Sequence, residues 1–182
     1  MNPWMQAGLT SGALSAMGDL VAQVLEKRHM YTHMNLDKPF DAGRCVRMLM
    51  FGLLLYGPFQ HWWYGALGSA FPGRGVQNFL SKVALNQVVL GPIVLTSAFA
   101  WTFVLQNQAN RLKQKVRKDL LPTLVNGWKF WVPAACINFY AVPLRFQVLY
   151  MSTCGVVWTA YISFASYNSA NAVVVSENFK TK

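Results

Sequence analysis

Apolar residues gather in five long runs, at about 4–25, 46–67, 79–105, 120–140 and 144–167, with short polar connections between them. Each run is close to the roughly 20 residues that an α-helix needs to cross hydrocarbon. None alternates with the period of a strand, and backbone groups in lipid must be paired within their own segment, so the pattern predicts helices. The fourth run is the weakest, because Asn126, Gly127, Lys129 and Pro133 interrupt it. It predicts a short or Pro-broken helix that forms a hairpin with the fifth across Val142-Pro143. The expected architecture is an all-α transmembrane bundle of four to five helices, one unit over 1–170, followed by a tail at 171–182.

Polar residues inside the runs are the informative exceptions, since lipid accepts them only where they meet a partner or water. In the first run Gly8, Gly12, Ser15, Asp19 and Gln23 share one helical face. Gly8, Gly12 and Ala16 are spaced for the close approach of a neighbouring helix. Asp19 lies about 9 Å from the far end of that helix, and Arg44 and Arg47 enter the second run from the same side. An ion pair between Asp19 and one or both arginines is expected. The second run ends in GPFQHWWYGAL, 57–67. Pro58 is expected to kink it, and His61 falls about 25 Å beyond Arg44, in an aromatic belt of Trp62, Trp63 and Tyr64. The third run carries Lys82, Asn86 and Gln87 ahead of Gly91-Pro92. Two polar layers are therefore predicted, Asp19, Arg44 and Arg47 at one end and His61, Asn86, Gln87 and Arg145 at the other, with Asn138 between them. Such a ladder either lines an aqueous path or staples the bundle.

Composition sharpens the membrane reading. Of 182 residues, 54% are hydrophobic and only 12% charged, about half the charge of a soluble domain. The net charge of +10 is unevenly placed. The first connection holds Lys27, Arg28, Lys38, Arg44 and Arg47, and the third holds Arg111, Lys113, Lys115, Arg117, Lys118 and Lys129, while the others are nearly free of cations. By the positive-inside rule these two connections face the cytosol or an organelle's matrix, with the N-terminus opposite. The segment 110–121, NRLKQKVRKDLL, spaces Leu112, Val116 and Leu120 four apart. It predicts either a basic interfacial helix whose Arg111, Lys113, Lys115, Arg117 and Lys118 meet anionic lipid such as cardiolipin, or a solvated extension of the third helix.

No groove-binding helix or stacking motif accompanies the cations, so nucleic acid is not an expected partner. Cys45, Cys136 and Cys154 sit in apolar stretches, and His61 is separated from His29 and His33, so no metal is expected. No nucleophile–base pair, carboxylate pair or phosphate loop is present; neither enzymatic activity nor a cofactor is expected. The first residues lack a basic n-region, which predicts an uncleaved start.

Six motifs then follow in order. They are GDLVAQ (Gly18, Asp19, Gln23), D-x-x-R-x-x-R (Asp41, Arg44, Arg47), GP-x-x-H-x-W-Y (Gly57, Pro58, His61, Trp63, Tyr64), K-x-x-x-N-Q-x-x-x-x-P (Lys82, Asn86, Gln87, Pro92), W-x-x-W-x-P…N-F-x-x-V-P (Trp128, Trp131, Pro133, Asn138, Phe139, Val142, Pro143) and W-x-x-Y-x-S (Trp158, Tyr161, Ser163). With these the chain resembles the Mpv-seventeen/peroxisomal membrane protein family, from about Trp4 to Ser163. The resemblance implies a small integral protein of the mitochondrial inner membrane, with peroxisomal and plastid membranes as alternatives. It also implies a weakly selective channel for small solutes or a role in membrane homeostasis, with Asp19, Arg44, Arg47, Asn86 and Asn138 along the path. The chain departs from the family at three places. Asn86-Gln87 stands where Asp-Gln is usual, Gln147 where an arginine is usual (with Arg145 nearby), and Ala135 where a glutamine is common. Loss of an Asp–Arg contact at both ends is the expected consequence, with Asn86 and Arg145 on the same side of the bundle. The alternative to a channel, alone or as a homo-oligomer, is a structural accessory subunit of a larger respiratory or photosynthetic membrane complex.

Overall fold

The computed structural model describes residues 2–34, 39–73 and 75–161. The expected tail at 171–182 and the end of the fifth run lie outside the described residues. Among the described residues, five rods run back and forth. The first is α1 (Pro3–Met34). The second joins α2 (Ala42–Phe51) to α3 (Gly57–Ala70) through a π turn at Gly52–Tyr56. The third joins α4 (Val76–Leu85) to α5 (Gly91–Leu105) through a π turn at Asn86–Leu90. The fourth is α6 (Ala109–Ala141), and α7 occupies 144–161.

The two π turns share a cause. Each precedes a Gly-Pro pair, and a proline in a helix lacks its N–H and strikes the carbonyl four residues back. Widening the preceding turn by one residue relieves that contact. The Gly57 N–H bonds to the Gly52 carbonyl and the Gly91 N–H to the Asn86 carbonyl, each five residues back. The irregularity expected at Pro58 as a kink thus takes the form of a π turn inside a continuous rod.

The fourth rod corrects the expectation of a short or Pro-broken helix. It has 33 residues, with Pro122 and Pro133 both inside it. A proline removes one backbone bond, and packing against neighbouring helices sustains the rest. Gly127, Ala134 and Ala135 are buried on its inner face. The predicted hairpin to the fifth rod is present at Val142-Pro143, where Val142 is extended (φ −93°, ψ 121°). The basic segment 110–121 is neither a separate interfacial helix nor an extension of the third rod. A turn with Asn107 at φ 55° ends the third rod, and the basic segment is the start of α6.

Burial differs from that of a water-soluble bundle. Val24, Leu54, Val88, Ile137 and Val157 are each more than half exposed, while Asp19, Gln23, Gln60, Asn86, Gln87, Asn138 and Gln147 are buried beside apolar residues such as Tyr64 and Leu90. That is the distribution lipid demands. The third rod, Val76–Leu105, has 30 residues, its most apolar 18-residue stretch has a mean hydropathy of 2.0, and by length and composition alone it is able to cross a membrane. In the first two rods, the inward polar residues lower the average without changing the apolar outer face.

Glycines set the tightest crossing. A Cβ built on Gly8 would lie 2.6 Å from the Leu53 carbonyl oxygen, and one on Gly12 would lie 3.0 Å from that of Leu49. From the facing rod, Cβ atoms on Gly52 and Gly57 would run into the carbonyls of Ser11 and Ala7. The small-xxx-small face of α1 therefore meets a second pair of glycines, one of them in the π turn.

Candidate functional site

The polar groups form a file along the bundle interior, starting with a clamp at its basic end. Asp19, Gln23 and Glu26 follow one another at one-turn spacing on the face of α1 that meets α2. The Arg44 Nε lies 2.5 Å from Asp19 Oδ1, and its Nη1 and Nη2 each lie 3.0 Å from a Glu26 carboxylate oxygen. Gln23 Nε2 donates to Asp19 Oδ2 (2.8 Å) and to the Asp41 carbonyl (2.9 Å), and its Oε1 accepts from the Asp41 N–H (2.8 Å). Cys45 Sγ is 3.2 Å from Asp19 Oδ2. One guanidinium thus meets two carboxylates, and a glutamine fixes the acid that lies deeper.

Arg47 does not reach Asp19. It pairs with Asp41 at 3.1 Å, while its carbonyl accepts from Trp101 Nε1 at 2.8 Å and ties the second rod to the third. Asp41 caps α2, with Oδ1 accepting from the Arg44 N–H at 2.9 Å. That backbone bond, with help from the Arg47 guanidinium, holds the Asp41 carboxyl below its ordinary range. Because the folded-state pKa is lowered, the cap contributes stability above the ordinary carboxylate pKa and loses it as pH falls through the folded value. Asp41→Asn keeps a capping oxygen but no charge. It is expected to lose less unfolding temperature on acidification than the parent, whereas Asp41→Ala starts lower at neutral pH. Thermal unfolding in detergent across the acid range checks this.

Above the clamp lies a cavity of about 300 Å³, bordered by Asp19, Gln60, Asn86, Gln87, Trp131 and Trp158 among others. Gln60 Nε2 donates to Tyr64 Oη at 3.0 Å, and Gln87 Nε2 donates to the Trp131 carbonyl at 2.9 Å. The Oε1 of Gln60 and the Oδ1 of Asn86 are buried with no protein partner. Asn86 and Gln87 are consecutive and both buried, because the π turn brings both to the inner face.

The file continues from the cavity wall, which Ser152 helps to line. Ser11 Oγ and Ser152 Oγ join α1 to α7 at 2.9 Å. Asn138 is fully buried with both amide atoms unpartnered. Gln147 Nε2 donates to the carbonyls of Asn138 (3.3 Å) and Val142 (3.2 Å).

The second predicted layer is divided. Asn86 and Gln87 line the cavity, but His61 is half-buried against the edge of Trp4, 5.3 Å between ring centroids. Arg145 is exposed, with its guanidinium 4.6 Å from the Phe146 ring centroid. Asn86 is buried whereas Arg145 points outward, so no contact joins the two positions. Two residues on a helix turn the side chain through more than half a circle, so the inward position belongs to Gln147. Sequence reasoning also passed over Glu26, Gln60, Ser11 and Ser152. Their signal was a polar side chain within or at the edge of an apolar run, which lipid does not accept unpartnered.

On the basic segment, Arg111, Lys113, Arg117 and Lys118 are exposed. Lys115 pairs with Asp119 at 2.6 Å and lies 5.5 Å from the Phe99 ring centroid.

Comparison with known proteins places these features in context. The model of the Mpv17 / PMP22 family matches residues 102–163. The chain is 29% identical to the rat mitochondrial inner membrane protein Mpv17 over 168 residues, covering 91% of this chain and 92% of that protein. It is 27% identical to PXMP2/4 family protein 2 of Dictyostelium discoideum, covering 92% and 86%. It is 26% identical to bovine peroxisomal membrane protein 2, covering 88% and 82%. No solved structure matches the chain.

Proposed function

Because this chain belongs to the Mpv17 / PMP22 family of membrane proteins, we propose that it sits in the mitochondrial inner membrane and passes small solutes along its interior polar file. The observation that carries this reading is the cavity, which has buried, unpartnered amide oxygens in a bundle whose outer face is apolar. Groups of that kind are costly in a dry interior and are relieved by water or a polar solute. The Asp19–Arg44–Glu26 clamp closes the basic end of the path. At the other end, Tyr64, Ala134 and Val148 pack into an apolar plug. The cations at the start of α6 face anionic headgroups such as those of cardiolipin.

The test is conductance of the purified protein in planar bilayers. Asp19→Asn removes the charge that holds Arg44 from the cavity side and leaves the bond to Glu26. It is expected to raise conductance while helical content stays unchanged. Conductance equal to the parent's removes the clamp from the path, and absence of conductance in both removes the path. Native size separation after mild-detergent extraction supplies the second check. Migration alone or as a small homo-oligomer agrees with a channel, whereas stoichiometric co-migration with a large assembly makes the protein an accessory subunit.

A further inference from the structure

Resting on the reading of the cavity as the waist of a path, we propose that it selects small uncharged molecules bearing hydroxyl or amide groups and rejects anions of the same size. Asp19 is the one charged residue in the described lining, and Arg44 already meets it at 2.5 Å. An entering carboxylate or phosphate would leave water with no cation to receive it and would face the carboxylate of Asp19. A charge brought into a low-dielectric site without a counter-charge is strongly disfavoured.

An uncharged polar molecule meets the opposite situation. Gln60 is 1% exposed and Asn86 is 4% exposed, and each has an amide oxygen without a protein partner at the cavity wall. A primary amide offers an acceptor and two donors, and a hydroxyl is itself donor and acceptor, so a hydroxylic solute satisfies either end of either amide. The indoles of Trp131 and Trp158, 6.0 Å apart and inclined at 60°, offer apolar faces to the C–H surface of such a molecule. The volume equals the space of roughly ten waters, enough for a few-carbon polyol and part of its hydration. Two amides and an indole pair therefore give a binding site for neutral, hydrogen-bonding solutes.

Binding and passage are measured separately on the purified full chain. Ethylene glycol, glycolate and ethanolamine are close in size and carry charges of zero, minus one and plus one. Their binding in detergent is followed by tryptophan fluorescence, and Trp158→Phe identifies the cavity's share of the signal. Their passage is followed by osmotic swelling of proteoliposomes. Ethylene glycol is expected to bind at least about tenfold more tightly than glycolate. Gln60→Leu combined with Asn86→Leu is expected to weaken that binding about tenfold, with the circular dichroism unchanged. Asn86→Asp adds one negative charge at nearly constant shape and is expected to move the preference to ethanolamine.

Glycolate binding as tightly as ethylene glycol overturns the proposal, as does full glycol binding by the double leucine variant. If that variant does not fold, Asn86→Asp decides, and an unchanged order of the three probes overturns the proposal. Binding of ethylene glycol without swelling supports the site and refutes the path.

Discussion

Gly52→Leu is expected to leave little folded protein. Gly52 lies in the π turn of the second rod, where even a Cβ would run into the backbone of Ser11 and Gly12 on α1. A side-chain neighbour yields by changing rotamer, but a helix backbone yields only if the two rods part. Overpacking a core costs about 1–3 kcal/mol when side chains adjust, and here no side chain is available to adjust. Gly52→Ala is expected to cost about that amount, and Gly52→Leu more. The control is Gly65→Leu in the same rod, where no atom lies within 4 Å of a built Cβ and little change is expected. Unfolding of the detergent-solubilised variants by heat or SDS separates the cases. Parent-like resistance in Gly52→Leu would mean that the α1 crossing is looser than this packing requires.

The second large effect is expected at Arg44. Arg44→Met takes the guanidinium from the carboxylates of Asp19 and Glu26, which are 5% and 13% exposed. Breaking a buried pair by removing one partner costs about 3–5 kcal/mol. The lower end applies here, because the arginine side chain itself retains 31% exposure and water reaches its outer part. Arg44→Lys keeps the charge but gives up the two-pronged contact with Glu26, so it is expected to fall between the parent and Arg44→Met. Combining Arg44→Met with Asp19→Asn and Glu26→Gln removes the stranded charges and is expected to recover most of the loss. The same unfolding assay reads all four proteins. A triple variant as unstable as Arg44→Met would assign the loss to packing of the arginine stem and not to charge.

The parts of this structure that were legible in the sequence are those where one constraint outweighs local detail. Hydrocarbon thickness held the number of rods to four or five, and the absence of water beside them made a buried acid announce a partner. Helix rise then gave Asp19 and Arg44 a common depth. Glu26 escaped notice because it stands where the helix nears the interface and a carboxylate can be solvated. Gln60 was hidden by the aromatic residues that follow it, although it lies one turn before Tyr64 and shares its inward face. Arg145 misled for a different reason. Charge marks which side of a membrane a residue occupies but not which face of its helix, and Gln147 holds the inward position. Propensity misjudged α6, because Asn126, Gly127 and Pro133 signal an ending in water, whereas in a bundle Gly127 gives Trp158 room to approach and the helix runs on.

The placement of the clamp also constrains how the chain is made. While only α1 has been synthesised, Asp19 has no cation to meet and α1 has no glycine-bearing neighbour to receive Gly8 and Gly12. A lone α1 is therefore a poor candidate for release into lipid. Arg44, Gly52 and Gly57 all arrive with the next rod and complete both contacts at once. The first two rods are therefore expected to enter lipid as a paired hairpin, and a fragment ending before Arg44 is expected to remain extractable by alkali.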